Sequence, residues 1–201
     1  MFSLIEAAGW PIWLLIIASL IVVTLIVERA LYLRSKNILP PGLLDQVVQE
    51  LKQRGTSPQM LSKLAAESPL GRVFAAGLKN ARSQPAVMKE AIEEAGRVAT
   101  HEMERFLTTI GTIASISPLL GLFGTVVGMI EIFGAQNAGG ANPAELAHGI
   151  SVALYNTAFG LIVAVPSMIA YRHFRAQVDS LTVEMEQQAI KLVEVLHGER
   201  K

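Results

Sequence analysis

From Trp10 to Val27 the chain reads WPIWLLIIASLIVVTLIV, 18 residues without a charge. As a helix rising 1.5 Å per residue this run is about 27 Å long, close to the hydrocarbon thickness of a bilayer. It is the first of three such runs. Phe106 to Phe133, FLTTIGTIASISPLLGLFGTVVGMIEIF, carries a single charge, Glu131, near its end, and Ile150 to Tyr171, ISVALYNTAFGLIVAVPSMIAY, carries none. At about 42 and 33 Å of helix, both can cross a membrane. The sequence therefore predicts an all-α membrane protein with three transmembrane helices. Before the first run stand Glu6 and no Lys or Arg, which favours a retained span over a cleaved leader. Trp10 and Trp13 mark one end of it and Tyr32 lies just past the other, where amphipathic rings favour the headgroup level.

Composition agrees and removes several functions. The chain is 51% hydrophobic and 17% charged, against roughly 45 to 50% and about 25% in soluble domains. Seventeen basic residues balance 17 acidic ones, so no basic surface is available to neutralise nucleic-acid phosphates. There is no cysteine, which excludes disulfides, thiolate metal sites and thiol nucleophiles. His101, His148, His173 and His197 have no second ligand at metal-site spacing, so no metal is expected. Gly121-Leu122-Phe123-Gly124-Thr125 lacks the Gly-Lys-Ser/Thr ending of a phosphate-binding loop. No catalytic residue and no cofactor is expected, and the chain is not read as an enzyme.

The basic residues set an orientation. All 17 Lys and Arg lie in 28–105 and 172–201, and none in 1–9 or 134–149. Positive charge near membrane ends is retained on the cytoplasmic side. The expected order is an outer, periplasmic N-terminus (1–9), transmembrane helix 1 (10–27), a cytoplasmic helical region (28–105), transmembrane helix 2 (106–133), a periplasmic loop (134–149), transmembrane helix 3 (150–171) and a cytoplasmic C-terminal helix (172–201).

Within 28–105, Pro40-Pro41-Gly42, Gly55-Thr56-Ser57-Pro58, Ser68-Pro69 and Ser83-Gln84-Pro85 separate short segments with apolar residues at helical spacing. Leu43, Leu44, Val47, Val48 and Leu51 mark the first, Met60, Leu61 and Leu64 the second, and Leu70, Val73, Phe74 and Leu78 the third. Between Pro85 and Pro118 the sequence has no proline, so one helix is expected to run from the cytoplasm through span two. Span three is expected to continue through Val178, Leu181, Met185, Ile190, Val193 and Leu196, making two helices of about 70 to 80 Å. An apolar stripe on the wet half of such a helix suggests packing between subunits. Asn137 to Asn142, NAGGAN, reads as a short outer loop.

The two inner spans carry small-residue faces. Ser117, Gly121, Thr125 and Gly128 are four, four and three residues apart, and so are on one face of span two. Gly149, Ala153, Thr157, Gly160, Ala164 and Ser167 share one face of span three in the same way. Gly124 belongs with the packing candidates on span two. Such faces allow close helix packing, each hydroxyl bonding the carbonyl one turn back, or they line a pore or embrace partner helices. Thr125 and Thr157 are the polar points. Asn156, about 100° of helix from Thr157, is a further candidate for the ion pathway or for a bond across a subunit interface. Pro118 and Pro166 each remove a backbone donor and are expected to kink their spans. Glu131 reads as a water-exposed helix end; a carrier built from this chain alone would need an acid near the midplane. If ions pass, the acid is expected to come from another chain.

Pro118-Leu-Leu-Gly-Leu-Phe-Gly-Thr-Val-Val-Gly128 resembles the PLLGLFGTVxG signature of the ExbB/TolQ/MotA proton-channel family. Gly149-Ile150, Ala153-Leu154, Asn156 through Leu161 and Ala164-Val165-Pro166 are similar to its third-span pattern, and Glu28-Arg29 to its pattern at the inner end of span one. The resemblance extends over all three spans, is closest to the ExbB and TolQ branch, and is unlike the four-span flagellar stator branch. It implies a bacterial inner-membrane subunit of a proton-motive-force-driven motor that energises TonB-dependent transport. Five copies would form a ring around a central pore, a homopentamer enclosing an ExbD-like single-span partner that supplies the proton-carrying Asp. Thr125 and Thr157 match pore-facing positions, and a TonB-like protein would carry the force outward. A TolQ-like subunit of the Tol-Pal envelope-constriction system shares this architecture, and a non-conducting membrane scaffold is the reading from another class. Many ExbB and TolQ members carry a glutamate where this chain has Val152, so the pore-facing acid expected of this subunit is absent.

Overall fold

The computed structural model describes residues 9–136 and 143–197. The segment expected to be periplasmic before Gly9, the loop Asn137 to Asn142 and residues 198–201 lie outside the described residues. Among those described there are eight helices and no strand: α1 (Pro11–Tyr32), α2 (Ser35–Ile38), α3 (Leu43–Arg54), α4 (Pro58–Glu67), α5 (Pro69–Lys79), α6 (Pro85–Glu104), α7 (Leu107–Gln136) and α8 (Pro143–His197). Three stretches are long and apolar enough to cross a membrane, within Pro11–Tyr32, Pro85–Gly134 and Leu146–Leu196. The chain divides into two compact units, with cuts at Arg29, Phe106 and His173.

The first unit holds α1 as far as Arg29, α7 and the first half of α8. On α1, Ile12, Leu15 and Val22 are buried on one face, while Trp13, Ile17, Leu20 and Val23 are exposed on the others. Every one of these exposed side chains is apolar, which is costly in water and costless in acyl chains. Trp10 packs edge-on against Phe123 of α7, with ring centroids 5.9 Å apart.

The long helix expected through span two is broken. α6 stops at Glu104, Arg105 is extended, and α7 begins at Leu107. Between them Phe106 has φ +65°, a left-handed conformation that costs a non-glycine residue roughly 1 to 2 kcal/mol. Its ring is 5.4 Å from the guanidinium of Arg29, a buried side chain also paired with Glu28. A desolvated cation over an aromatic face contributes about 2 kcal/mol, enough to offset the strain. Neither Pro nor Gly marks the break, so the sequence carried no signal of it.

In the second unit the punctuation works as expected. Ser57 Oγ accepts the N–H of Met60 at 3.1 Å and Ser68 Oγ that of Gly71 at 3.0 Å, each followed by Pro at the first helical position. Leu70, Val73, Phe74 and Leu78 are buried, with Met88, Ala99 and Met103 of α6. The apolar series of α8 is corrected beyond Met185. Val178, Leu181, Met185, Ala189 and Leu192 are buried, whereas Ile190 is 58% exposed. Steps of three and four keep Ala189 and Leu192 on the inner face, and Ile190 falls about 100° off Ala189. That stripe is covered by its own chain, so it gives no argument for packing between subunits. Arg72 with Glu102, and Arg175 with Glu104 at 2.7 Å, tie helices together at the surface of this unit. Gln177 Nε2 donates to the Leu33 carbonyl at 2.7 Å.

Candidate functional site

Both small-residue faces are spent on each other. α7 and α8 run antiparallel, and their glycines fix the register. A methyl group on Gly121 would lie 2.7 Å from the Asn156 carbonyl oxygen and 3.0 Å from Thr157 Cα. One on Gly160 would lie 2.6 Å from the Ser117 carbonyl oxygen and 3.1 Å from Gly121 Cα. Gly128 meets Ala153 Cβ at 3.1 Å, Gly149 meets the Ile132 side chain at 2.7 Å, and Gly111 meets the Tyr171 ring at 3.1 Å on the same terms. Backbone on backbone leaves no room for a side chain, and this is the close approach that small residues permit in lipid.

Thr125 and Thr157 meet in this interface, half-buried, with their hydroxyl oxygens 2.6 Å apart. Thr125 Oγ1 is also 3.0 Å from the carbonyl of Ala153 on the other helix and 3.2 Å from that of Gly121, one turn back. Each hydroxyl has one proton to give. Thr157 donating to Thr125, and Thr125 to Ala153, closes the set across two helices. Reversing the first bond frees the Ala153 carbonyl and turns the pair around. The arrangement can thus hold a proton-ordered chain in either sense, and it also serves as a polar clasp between helices.

Asn156 is buried beside Gly124 of α7. It is 1% exposed, and its side chain fills the space beside Gly124, where a methyl group would meet Asn156 Cγ at 2.7 Å. One residue before Thr157 on the helix turns it from the open side of the clasp into the α7–α8 seam. Within this chain it is covered by α7. Pro118 and Pro166 lie inside unbroken helices. Each removes the donor owed to the carbonyl four residues back. Buried Ser117 and Ser167 donate to the carbonyls of Ile113 and Val163, both at 2.6 Å, adding polar contacts where the ladder is interrupted.

A cavity of about 410 Å³ opens at the other end of this seam, where the start of α1 meets α7 and α8. Glu131 and His148 line it, together with Val152 and with Gly128 and Ala153 from the seam itself. Sequence spacing alone leaves Glu131 and His148 as separate, solvated positions. The signal that would have joined them is the antiparallel register: Gly128 faces Ala153 and Ile132 faces Gly149, which brings 131 and 148 to the same level.

The sequence profile of the MotA/TolQ/ExbB proton channel family matches residues 65–187, taking in all of α7 and most of α8. The chain is 32% identical over 163 residues to the biopolymer transport protein ExbB-like 3 of Synechocystis, covering 79% of this chain and 77% of that one. It is 30% identical over 188 residues to the biopolymer transport protein exbB1 of Vibrio cholerae, covering 90% and 82%. It is also 37% identical over 142 residues to the Tol-Pal system protein TolQ of Pseudomonas aeruginosa, covering 65% and 59%. With these matches added to three apolar helices and a seam built from the two long motifs, the chain belongs to the MotA/TolQ/ExbB proton channel family, which is a family of membrane channels and not of enzymes.

Proposed function

We propose that this chain is an ExbB-like inner-membrane subunit of a motor driven by the proton motive force, energising TonB-dependent transport across the outer membrane. Five copies form a ring around the single-span helices of an ExbD-like partner, whose aspartate carries the proton, and a TonB-like protein takes the work outward. The N-terminus is periplasmic and the C-terminus cytoplasmic, in keeping with the segregated Lys and Arg. The observation that carries the reading is the half-buried hydroxyl pair of Thr125 and Thr157, 2.6 Å apart where the two motif-bearing spans meet. Together with the absence of any acid in the middle of the spans, it supports reading this chain as the wall of a pathway whose titrating carboxylate belongs to another molecule.

Two other readings have an observation each. The similarity to the Pseudomonas TolQ protein supports a Tol-Pal subunit of the same architecture. The closure of both hydroxyls within one chain supports a scaffold in which they only pack. Thr125→Val and Thr157→Val separate conduction from packing, since valine keeps the shape and loses the hydroxyl. A lost hydrogen bond of about 1 to 3 kcal/mol predicts variants that still co-purify with the single-span partner but take up protons roughly tenfold more slowly in proteoliposomes. Wild-type uptake in both variants overturns the conduction reading.

A further inference from the structure

We infer that Glu131 and His148 form a proton-receiving site at the outer mouth of the α7–α8 seam; the inference rests on the conducting role proposed for this chain.

The cavity that holds them has a volume of about 410 Å³, room for several waters at about 30 Å³ each. Of the side chains lining it, only Glu131 and His148 are polar; the start of α1 contributes Gly9 and Pro11, and α8 adds Val152 beside His148. No other titratable group faces the cavity from α1, α7 or α8 among the described residues. Glu131 is also the one acid in the three apolar runs. A carboxylate at the lipid-bounded end of a span is expensive to keep unless water or a partner group reaches it, and this cavity has room for water and places His148 in the same lining.

The cavity leads toward the clasp. Its inner wall is made by Gly128 and Ala153, which touch across the seam. The carbonyl of Ala153 is the group to which Thr125 donates at 3.0 Å. One residue therefore belongs to both the cavity and the hydroxyl pair. The carboxylate of Glu131 takes one proton from outer water and becomes neutral, and returns to a carboxylate when that proton passes to the aspartate of the single-span partner, so the site ends with the charge it began with. His148 offers a second proton acceptor in the same cavity. That choice of groups suits a proton over a sodium ion, which would be held by oxygen ligands alone.

The test uses the full chain reconstituted with its single-span partner in proteoliposomes, with a pH-sensitive dye inside and an imposed pH gradient. Glu131→Gln is expected to slow proton uptake roughly a hundredfold, the low end of what a lost proton-transfer group costs, and Glu131→Asp to restore most of it. His148→Gln is expected to slow uptake less than Glu131→Gln does, because the carboxylate remains to take the proton. Co-purification of each variant with the partner separates loss of conduction from loss of assembly. If Thr125→Val slows uptake while Glu131→Gln conducts as wild type, the outer site is wrong and the channel reading stands. Should the wild-type complex pass no protons, the channel reading itself fails. Uptake driven by a sodium gradient and abolished by Glu131→Gln would overturn the proton assignment.

Discussion

Arg72 and Glu102 are 30 residues apart in sequence and meet in a two-pronged ion pair, Nη1 donating to Oε1 at 2.6 Å. The hydrogen bond from Arg72 holds the Glu102 carboxyl below the usual carboxylate range; burial opposes this, and the charges of Arg72 and His101 reinforce it. A carboxyl depressed on folding adds stability above its unfolded titration and loses it as pH falls through the folded one. With the two side chains 34% and 39% exposed, solvent screening keeps the pair below about 1 kcal/mol. Glu102→Gln should therefore lower the thermal midpoint by a few degrees at most at pH 7, and the gap to wild type should close as the solution is acidified below the ordinary carboxylate range of about 4. A gap that persists unchanged at low pH would assign the loss to packing. Single residues were the least legible part of the sequence. Phe106 gave no sign of its left-handed backbone, because the compensation comes from Arg29, which is 77 positions earlier and visible only in three dimensions. The burial of Asn156 is illegible for a related reason, since only the partner helix says which side of α8 is covered.

At the scale of elements the spacing of small residues was more informative, because two faces of matching period leave little choice of partner. Gly121, Thr125 and Gly128 on one helix and Ala153, Thr157 and Gly160 on the other were all readable as faces. What periodicity did not decide was whether the faces look at each other or at a lumen. The antiparallel register answers for the glycines, whose missing side chains are replaced by backbone of the opposite helix. A graded response to alanine follows from those distances. At Gly121 and Gly160 the new methyl would meet backbone atoms at 2.7 and 2.6 Å, so the helices must separate, at about 1 to 3 kcal/mol for overpacking. At Gly128 it would meet the Ala153 methyl at 3.1 Å, and a shift of a few tenths of an ångström relieves it. Gly134 has nothing within 4 Å, so alanine there gains helix propensity of up to about 1 kcal/mol. Thermal unfolding of the detergent-solubilised protein should rank stability as Gly134→Ala above wild type, then Gly128→Ala, then Gly121→Ala and Gly160→Ala. Equal midpoints across the series would mean that α7 and α8 do not pack this way in detergent.

For the whole molecule, the distribution of charge carries more than its sum, which is zero. A soluble domain scatters Lys and Arg over its surface, whereas here the segments before α1 and between α7 and α8 hold none and the remaining segments hold all 17. Under the proposed orientation, with basic residues retained on the cytoplasmic side, Lys89 would be internal and Gly134 external. The architecture of three spans was legible for this reason: membrane insertion reads hydropathy and flanking charge locally, without long-range packing. The subunit count was not legible, since it depends on angles between copies that no single chain contains. The absence of cysteine makes the orientation directly measurable. A thiol introduced by Gly134→Cys should react with a membrane-impermeant maleimide added to intact spheroplasts, and one introduced by Lys89→Cys only after the membrane is opened. Both sites are exposed side-chain positions, so a failure to react reports sidedness and not burial. Labelling of Lys89→Cys in sealed spheroplasts would invert the topology. It would also move Glu131 and His148 from the outer mouth of the seam to its cytoplasmic side, reversing the sense in which protons reach them.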